Sequence, residues 1–129
     1  MRQVYRSGMA VHDASVLIVE DEPGLADLFE IWLSSDFDVD TVTNGSAALD
    51  ALTAVPDVIV LDWRIPDVPG EKILEEVNDR NLDSQVAVVT GMDPGVADID
   101  NSVPTVLRKP VQQDELIGAV HELLENDVE

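Results

Sequence analysis

The feature that most constrains the fold is an unbroken run of branched apolar residues that ends in a carboxylate. Residues 58–61 are Val, Ile, Val and Leu, and Asp62 follows them directly, ahead of a loop that contains Pro66, Pro69 and Gly70. A strand that is apolar at every position, rather than at alternate positions, is buried on both faces of its sheet. Asp62 is therefore predicted to be held rigidly at the end of a central strand, where ligands can reach it.

Four more segments are predicted to be strands. Residues 15–19 and 85–90 are mostly apolar, residues 38–43 alternate polar with apolar positions and suit an edge of the sheet, and residues 105–107 form a short last strand. Between them, apolar residues at three- and four-residue spacing predict helices. These helices are expected to begin at Pro23, at a cap formed by Ser46, after Gly70 and ahead of Leu116.

The alternation of strands and helices predicts an α/β fold. We expect a doubly wound, five-stranded parallel sheet with helices on both faces and the flavodoxin-like strand order 2-1-3-4-5. Residues 93–104 contain few large apolar residues and are interrupted by proline and glycine, so a degenerate, mobile fourth helix is expected there.

The length of 129 residues suits one domain, predicted over residues 15–126 after a flexible tail at residues 1–14 that lacks periodicity. The chain has no cysteine, which excludes a disulfide framework and a thiolate metal site. No apolar run approaches the roughly 20 residues of a membrane helix, and the N-terminus lacks the apolar core of a signal peptide. We therefore expect a soluble protein of the cytoplasm.

The charge balance is extreme, with 27 acidic residues, 7 basic residues and a formal net charge of −20. Such a charge argues against direct binding of nucleic acid or of an anionic membrane, because their phosphates would be repelled. The net charge is explained by a solvated acidic surface of the kind selected in a high-salt cytoplasm, where ions screen the repulsion between acidic groups. The alternative is an acidic surface that binds one basic partner. Lysine is scarce, occurring at Lys72 and Lys109, so a lysine in an apolar setting is a candidate for a function.

Carboxylates follow two strands that are neighbours in the predicted order. Glu20 and Asp21 come directly after strand one and Asp62 ends strand three, on either side of the point where the strand order reverses. Like charges so close oppose ionisation, and a hard divalent cation relieves them; Mg²⁺ suits carboxylates, a backbone carbonyl and waters. The alternative is that Glu20 and Asp21 merely favour the N-terminus of the next helix.

The ends of the last two strands add a hydroxyl and a positive charge. Thr90 ends strand four and Lys109 follows strand five. A carboxylate surrounded by Mg²⁺, a hydroxyl and an ammonium group is suited to phosphoryl transfer, with Asp62 as the nucleophile. Simpler alternatives are that Thr90 only favours the strand conformation and that Lys109 is only a surface residue. Asp67, in the loop after Asp62, is interpreted as a solvated acid.

These motifs together resemble the signature of response-regulator receiver domains, the CheY-like domains of two-component systems. The resemblance covers about residues 15–126 and rests on Glu20-Asp21, on Asp62 with Pro66 and Gly70, on Thr90, and on Lys109-Pro110. The acidic composition and the Asp62-Trp63-Arg64 loop also resemble receivers of haloarchaea.

The resemblance implies a role for each of these residues. Asp62 would be the phosphoacceptor, Thr90 and Lys109 would contact the phosphoryl group, and the peptide before Pro110 would be cis. The Mg²⁺ ligands would be Glu20, Asp21, Asp62 and the backbone carbonyl of Arg64. The phosphoryl donor would be a histidine kinase or a phosphotransfer protein.

Three positions depart from the family pattern. Val106 stands three residues before the lysine, where the family often has an aromatic residue whose rotamer reports phosphorylation. Arg64 and Met92 stand two residues after the phosphoacceptor and after the threonine, where the family's side chains influence the access of water. Neither is a good general base, so we expect a long-lived phosphoryl group.

The leading hypothesis is a phosphorylation-switched signalling domain that accepts its phosphoryl group in a Mg²⁺-dependent reaction and turns over no outside substrate. The main alternative is a pseudo-receiver, a module for protein interaction that does not depend on phosphorylation. A haloacid-dehalogenase-like phosphatase would need a second Asp where Arg64 stands, and a flavin carrier would need a polar first loop rather than an acidic one. The cognate kinase, the output protein and a homodimeric state are left open.

Overall fold

The computed structural model describes residues 4–5, 9–10, 14–92, 99, 103 and 105–125. The main sheet has five strands: β1 Ser15–Val19, β2 Asp38–Val42, β3 Val58–Asp62, β4 Gln85–Thr90 and β5 Thr105–Arg108. The described helices are α1 Pro23–Ser34, α2 Gly45–Ala51, α3 Gly70–Asp79 and α4 Gln113–Glu125, and a 3₁₀ turn, Leu52–Ala54, follows α2. None of these helices combines the length and the apolar character that a membrane span requires.

The five strands of the main sheet are all parallel and lie in the order β2-β1-β3-β4-β5, which confirms the predicted order 2-1-3-4-5. β1 and β3 are direct neighbours, with Val19 opposite Leu61. The next residue of each chain segment is an acid, Glu20 in one and Asp62 in the other, so both acids lie at the same edge of the sheet. β2, whose alternating pattern predicts an edge strand, does lie at an edge.

Every residue of β3 is buried because helices cover both faces of the sheet. On one face the core joins α1 and α4 through side chains such as Phe29 and Leu116. On the other face it joins α2 and α3 through side chains such as Ala48 and Ile73. Burial stabilises the fold by about 25 cal/mol for each Å² of apolar surface removed from water, which explains why the central strand has no polar position before Asp62.

The start of α2 differs from the prediction. Ser46 is not its cap: the helix begins at Gly45, and Asn44 caps it by accepting a hydrogen bond at Oδ1 from the Ala47 backbone N–H, at 2.8 Å. Asn44 has extended backbone, from which its short side chain reaches the N–H three residues on. Ser46 instead donates its own backbone N–H to Asp67.

Two predictions fall on segments that are described only in part. The degenerate fourth helix is expected within residues 93–104, which lie outside the described residues except for Ile99 and Val103. Within the predicted tail, Val4–Tyr5 pairs antiparallel with Met9–Ala10. The flexibility of that tail and the domain bounds stay predictions.

Candidate functional site

The predicted site residues lie together at the carboxyl edge of the sheet. Glu20 follows β1, Asp62 ends β3, Thr90 ends β4 and Lys109 follows β5. The Lys109 backbone N–H donates to the Thr90 carbonyl at 2.8 Å, which ties the ends of β4 and β5 together. Four residues that are far apart in sequence thus meet because their strands are parallel and adjacent.

Three carboxylates form a cluster at this edge. One oxygen from each of Glu20, Asp21 and Asp62 can be chosen so that all three lie within 4.8 Å of one another. Glu20 is 1% exposed and Asp62 is 5% exposed, while Asp21 is half-buried. Negative charges so close together and so shielded from water repel one another strongly, so the cluster needs positive charge beside it.

Lys109 supplies part of that charge. Its Nζ atom lies 3.1 Å from Glu20 Oε1 and 3.5 Å from Asp62 Oδ2. Burial by itself lowers the pKa of Lys109, but the contact with Glu20 and the negative charges of Asp62 and Glu20 outweigh it and raise that pKa. Lys109 is therefore a permanent ammonium group, and its peptide bond to Pro110 is cis, as the family resemblance implied.

Glu20 is the most constrained of the three acids. Its Oε2 atom accepts a hydrogen bond from the Glu22 backbone N–H at 3.2 Å. Its Oε1 atom is buried and has no hydrogen-bond partner among the described residues, because the approach of Lys109 is close enough for an ion pair without the direction of a hydrogen bond. Burial first, and then the neighbouring Asp62, raises the pKa of Glu20 from 4.5 to about 7.

The acidic cluster fits Mg²⁺. The buried Oε1 atom of Glu20 receives no hydrogen bond from the described part of the chain, and hard cations prefer oxygen ligands grouped as these carboxylates are. Arg64 lies beside them, since its backbone N–H donates to Asp62 Oδ1 at 3.2 Å. The use of the Arg64 carbonyl as a further ligand stays a prediction.

The loop after Asp62 returns closely upon itself at a glycine. The Gly70 backbone N–H donates to the Trp63 carbonyl at 3.3 Å. A Cβ atom at Gly70 would lie 2.7 Å from the Trp63 ring and 2.9 Å from the Trp63 carbonyl oxygen, which is too close for any other residue. The glycine eight positions after Asp62 is therefore needed to start α3 against this loop.

The side chains two positions after Asp62 and two positions after Thr90, those of Arg64 and Met92, contact each other. An Arg64 Nη1 N–H donates to Met92 Sδ at 3.3 Å. The Met92 backbone N–H in turn donates to the Thr90 hydroxyl oxygen at 3.1 Å. The pair thus bridges the segments that leave β3 and β4.

Val106 lies on β5, where the family often has an aromatic residue. Its side chain is half-buried and packs against the apolar cluster that α2 and α3 cover. A small branched side chain in such a packed position cannot make the large rotamer change of an aromatic ring. The position therefore offers no aromatic switch.

Asp67 has a structural role that its sequence context did not indicate. Its side chain is exposed, but Oδ1 accepts from the Gly45 backbone N–H at 2.8 Å and Oδ2 from the Ser46 backbone N–H at 3.1 Å. These hydrogen bonds, that of Gly45 first, lower the pKa of Asp67. The interpretation of Asp67 as only a solvated loop acid is therefore incomplete, and no local signal marks it because its partners are 22 and 21 positions away.

Comparison with known proteins gives a consistent result. A family model described as the response regulator receiver domain matches residues 16–121. A protein of Haloferax volcanii is 39% identical over 110 residues, which cover 84% of this chain and 19% of that protein. The transcriptional regulatory protein TrcR of Mycobacterium tuberculosis is 32% identical over 114 residues, which cover 84% of this chain and 44% of TrcR. The chain thus spans less than half the length of these two relatives.

Solved structures agree with the sequence relatives. A signal receiver domain from Vibrio parahaemolyticus superposes with a TM-score of 0.81 and 28% identity, covering 89% of this chain and 92% of that one. The receiver domain of the Francisella response regulator 1452 superposes with a TM-score of 0.77 and 25% identity, covering 88% of this chain and 98% of that one. Both likenesses extend over nearly the whole chain.

Proposed function

This chain belongs to the response regulator receiver domain family, and on that premise we propose that it is a phosphorylation-switched signalling domain whose phosphoacceptor is Asp62. The observation that carries the proposal is the position of Lys109 Nζ, 3.1 Å from Glu20 and 3.5 Å from Asp62 at the edge where the strands end. A nucleophilic carboxylate, a fixed ammonium group and a cluster able to hold a cation are the parts that phosphoryl transfer needs.

Receiver domains of response regulators interact with histidine kinases or phosphotransfer proteins, so the donor proposed here is a phosphohistidine of such a protein. An oxygen of Asp62 attacks the phosphorus atom, and an O–P bond forms as the N–P bond of the donor breaks. The electron pair of that bond stays on the imidazole nitrogen, which takes up a proton from water. The product on this chain is an acyl phosphate.

The residues around Asp62 each assist this transfer. The ammonium group of Lys109 attracts the incoming anion and stays beside it, since the raised pKa keeps it charged. The Thr90 hydroxyl oxygen accepts from the Met92 N–H, and the hydroxyl proton is the group that would be donated to a phosphoryl oxygen. The Arg64 backbone N–H holds the carboxylate of Asp62 in one orientation.

Receiver domains bind Mg²⁺ at an acidic pocket, and the proposed ligands here are Glu20, Asp21, Asp62 and the Arg64 carbonyl. When bound, Mg²⁺ would neutralise negative charge on the carboxylates and on the phosphoryl group. Any proton on Glu20 would be lost when the cation binds, and its pKa of about 7 means that such a proton is present mainly below neutral pH.

A pseudo-receiver is the second candidate, and Val106 is the observation that favours it. Without an aromatic residue at this position, the chain lacks the usual means of reporting phosphorylation. The intact acidic cluster and Lys109 weigh against it, because charged groups that are withdrawn from water are costly to keep without a function.

The wider setting is also proposed. The chain is expected to act in the cytoplasm of a halophile, to turn over no outside substrate and to bind no nucleic acid itself, since its net charge is −20. Curated relatives are much longer than this chain, so the output that it controls is expected to depend on a further domain or on a separate protein. Association of two copies of this chain into a homodimer is a further proposed contact.

The proposal is tested by following intact mass and free phosphate after mixing the chain with Mg²⁺ and acetyl phosphate at high salt. The proposed function predicts one phosphoryl group per chain and little phosphate released afterwards. No adduct over a wide salt range would instead support the pseudo-receiver. Continuous release over many turnovers would point to a hydrolase.

A further inference from the structure

The loop that follows Asp62 is fastened to α2 by a single carboxylate. Asp67 accepts one hydrogen bond from each of the first two backbone N–H groups of that helix, those of Gly45 and Ser46. The third backbone N–H group, that of Ala47, donates to Asn44, so Asp67 caps two of the first three N–H groups and Asn44 caps one. A helix begins with N–H groups that its own turns cannot satisfy, and here two of them depend on a residue of another segment.

Close packing reinforces this connection. A Cβ atom at Gly45 would lie 2.4 Å from Cβ of Val68 and 3.2 Å from Oδ1 of Asp67. The backbone of α2 therefore lies directly against the loop, with no room for a side chain between them. A displacement of the loop must move the start of α2 or break both hydrogen bonds, since packed surfaces do not deform freely.

The other end of the same loop is hydrogen-bonded to Asp62 itself. The Arg64 backbone N–H donates to Asp62 Oδ1 at 3.2 Å, and Ile65, the next residue, is buried. A hydrogen bond to a charged acceptor is stronger than one to a neutral acceptor. Acyl phosphate formation removes the carboxylate charge from Asp62, so it weakens this bond at the start of the loop.

We propose that Asp67 is a positioning residue that couples phosphorylation of Asp62 to the N-terminus of α2. The inference rests on the proposed function, because it needs an acyl phosphate at Asp62. The loop between these two aspartates is the connecting part: it is held to the phosphoacceptor by Arg64 and to α2 by Asp67. This route does not use Val106, and so it transmits a signal without an aromatic switch.

The test compares the backbone amide resonances of Gly45 and Ser46 before and after phosphorylation with Mg²⁺ and acetyl phosphate, with intact mass recorded on the same samples. The variants are Asp67→Ala, which removes both acceptors, and Asp67→Asn, which keeps one oxygen. Asp50→Ala is the matched control, because it removes an exposed aspartate from α2 itself. Thermal unfolding of each variant separates a loss of coupling from a loss of stability.

In the unmodified chain and in Asp50→Ala, phosphorylation is expected to shift both amide resonances. In Asp67→Ala the adduct forms to the same extent but the shift is lost, and Asp67→Asn restores part of it. An equal shift in Asp67→Ala, or no shift in the unmodified chain when the adduct is present, overturns the coupling and leaves the proposed function intact. Absence of the adduct from every sample overturns the proposed function, and the coupling with it.

Discussion

The Nζ atom of Lys109 lies 3.5 Å from the Oδ2 atom of Asp62, although 47 positions separate the two residues. The same ammonium group lies 3.1 Å from the buried Glu20. Lys109 follows β5 and Asp62 ends β3, and β4 lies between these two strands in the sheet. The long side chain of Lys109 therefore reaches past the end of β4 to Asp62. Its position makes it the group that balances the acidic cluster and the group that an incoming phosphoryl anion would meet.

Replacing Lys109 by Gln should slow phosphorylation of the chain by roughly 10²-fold, the usual effect of removing one group that stabilises transition-state charge. The initial rate of adduct formation, measured by intact mass with acetyl phosphate as donor, is the test. Lys72→Gln is the control, because Lys72 is exposed and pairs only loosely with Glu76. Equal rates in the two variants would contradict the role given to Lys109.

The stabilisation by Mg²⁺ should depend on pH through Glu20. The pKa of Glu20 is raised from 4.5 to about 7 in the folded chain, so its protonated form stabilises the fold below about pH 4.5. That contribution is lost as the pH rises through about 7. Mg²⁺ competes with the same proton, and it should therefore raise the melting temperature more at about pH 8 than at about pH 5.

Thermal melts with and without Mg²⁺ at both pH values check this expectation. Glu20→Gln is the informative variant, since an uncharged side chain of the same shape removes the titration. Its response to Mg²⁺ should be weaker and nearly the same at both pH values. A Mg²⁺ effect in the unmodified chain that does not change with pH would count against the role of Glu20.

Exchanging Arg64 and Met92 for residues that can direct water should shorten the life of the acyl phosphate. These side chains contact each other at 3.3 Å, and neither is a general base. In the double variant Arg64→Asn, Met92→Glu, the decay of the adduct should be several-fold faster. The decay of the adduct is followed by intact mass after removal of the donor, with Arg80→Asn as a control at an exposed arginine. An unchanged decay rate in the double variant would contradict the role given to Arg64 and Met92.

Salt should stabilise the fold strongly because the formal net charge is −20. Raising KCl from about 0.1 M to about 1 M shortens the Debye length from about 10 Å to about 3 Å, which screens the repulsion between acidic groups. The melting temperature should therefore rise over this range. An uncharged osmolyte at the same osmolarity is the control, and an equal rise in both would show that charge screening is not the cause.

Much of the sheet could be predicted because its strands carry unambiguous patterns. The run that ends at Asp62 has no polar position, and such a run has one stable place, the middle of a sheet covered on both faces. The succession of strands and helices predicted the parallel sheet, and the flavodoxin-like order expected for such a sheet brought Glu20 and Asp62 together. Lys109 could be placed because it follows an apolar strand in a chain that has few lysines.

The features that sequence did not predict depend on precise backbone placement. Asn44 and Ser46 are both good caps, and the choice between them depends on a difference of two residues in where α2 begins. Asp67 caps α2 from a distant segment, so its partners depend on how the loop after β3 packs against Gly45. A local pattern contains neither kind of information.

The central claim is that Asp62 is the residue that carries the phosphoryl group. The most direct measurement is intact mass followed by peptide mapping, after the chain and its Asp62→Asn and Asp67→Asn variants are treated with Mg²⁺ and acetyl phosphate. We predict one adduct in the unmodified chain and in Asp67→Asn, located at residue 62, and none in Asp62→Asn. An adduct of equal yield in Asp62→Asn, or one located at another residue, would contradict the account.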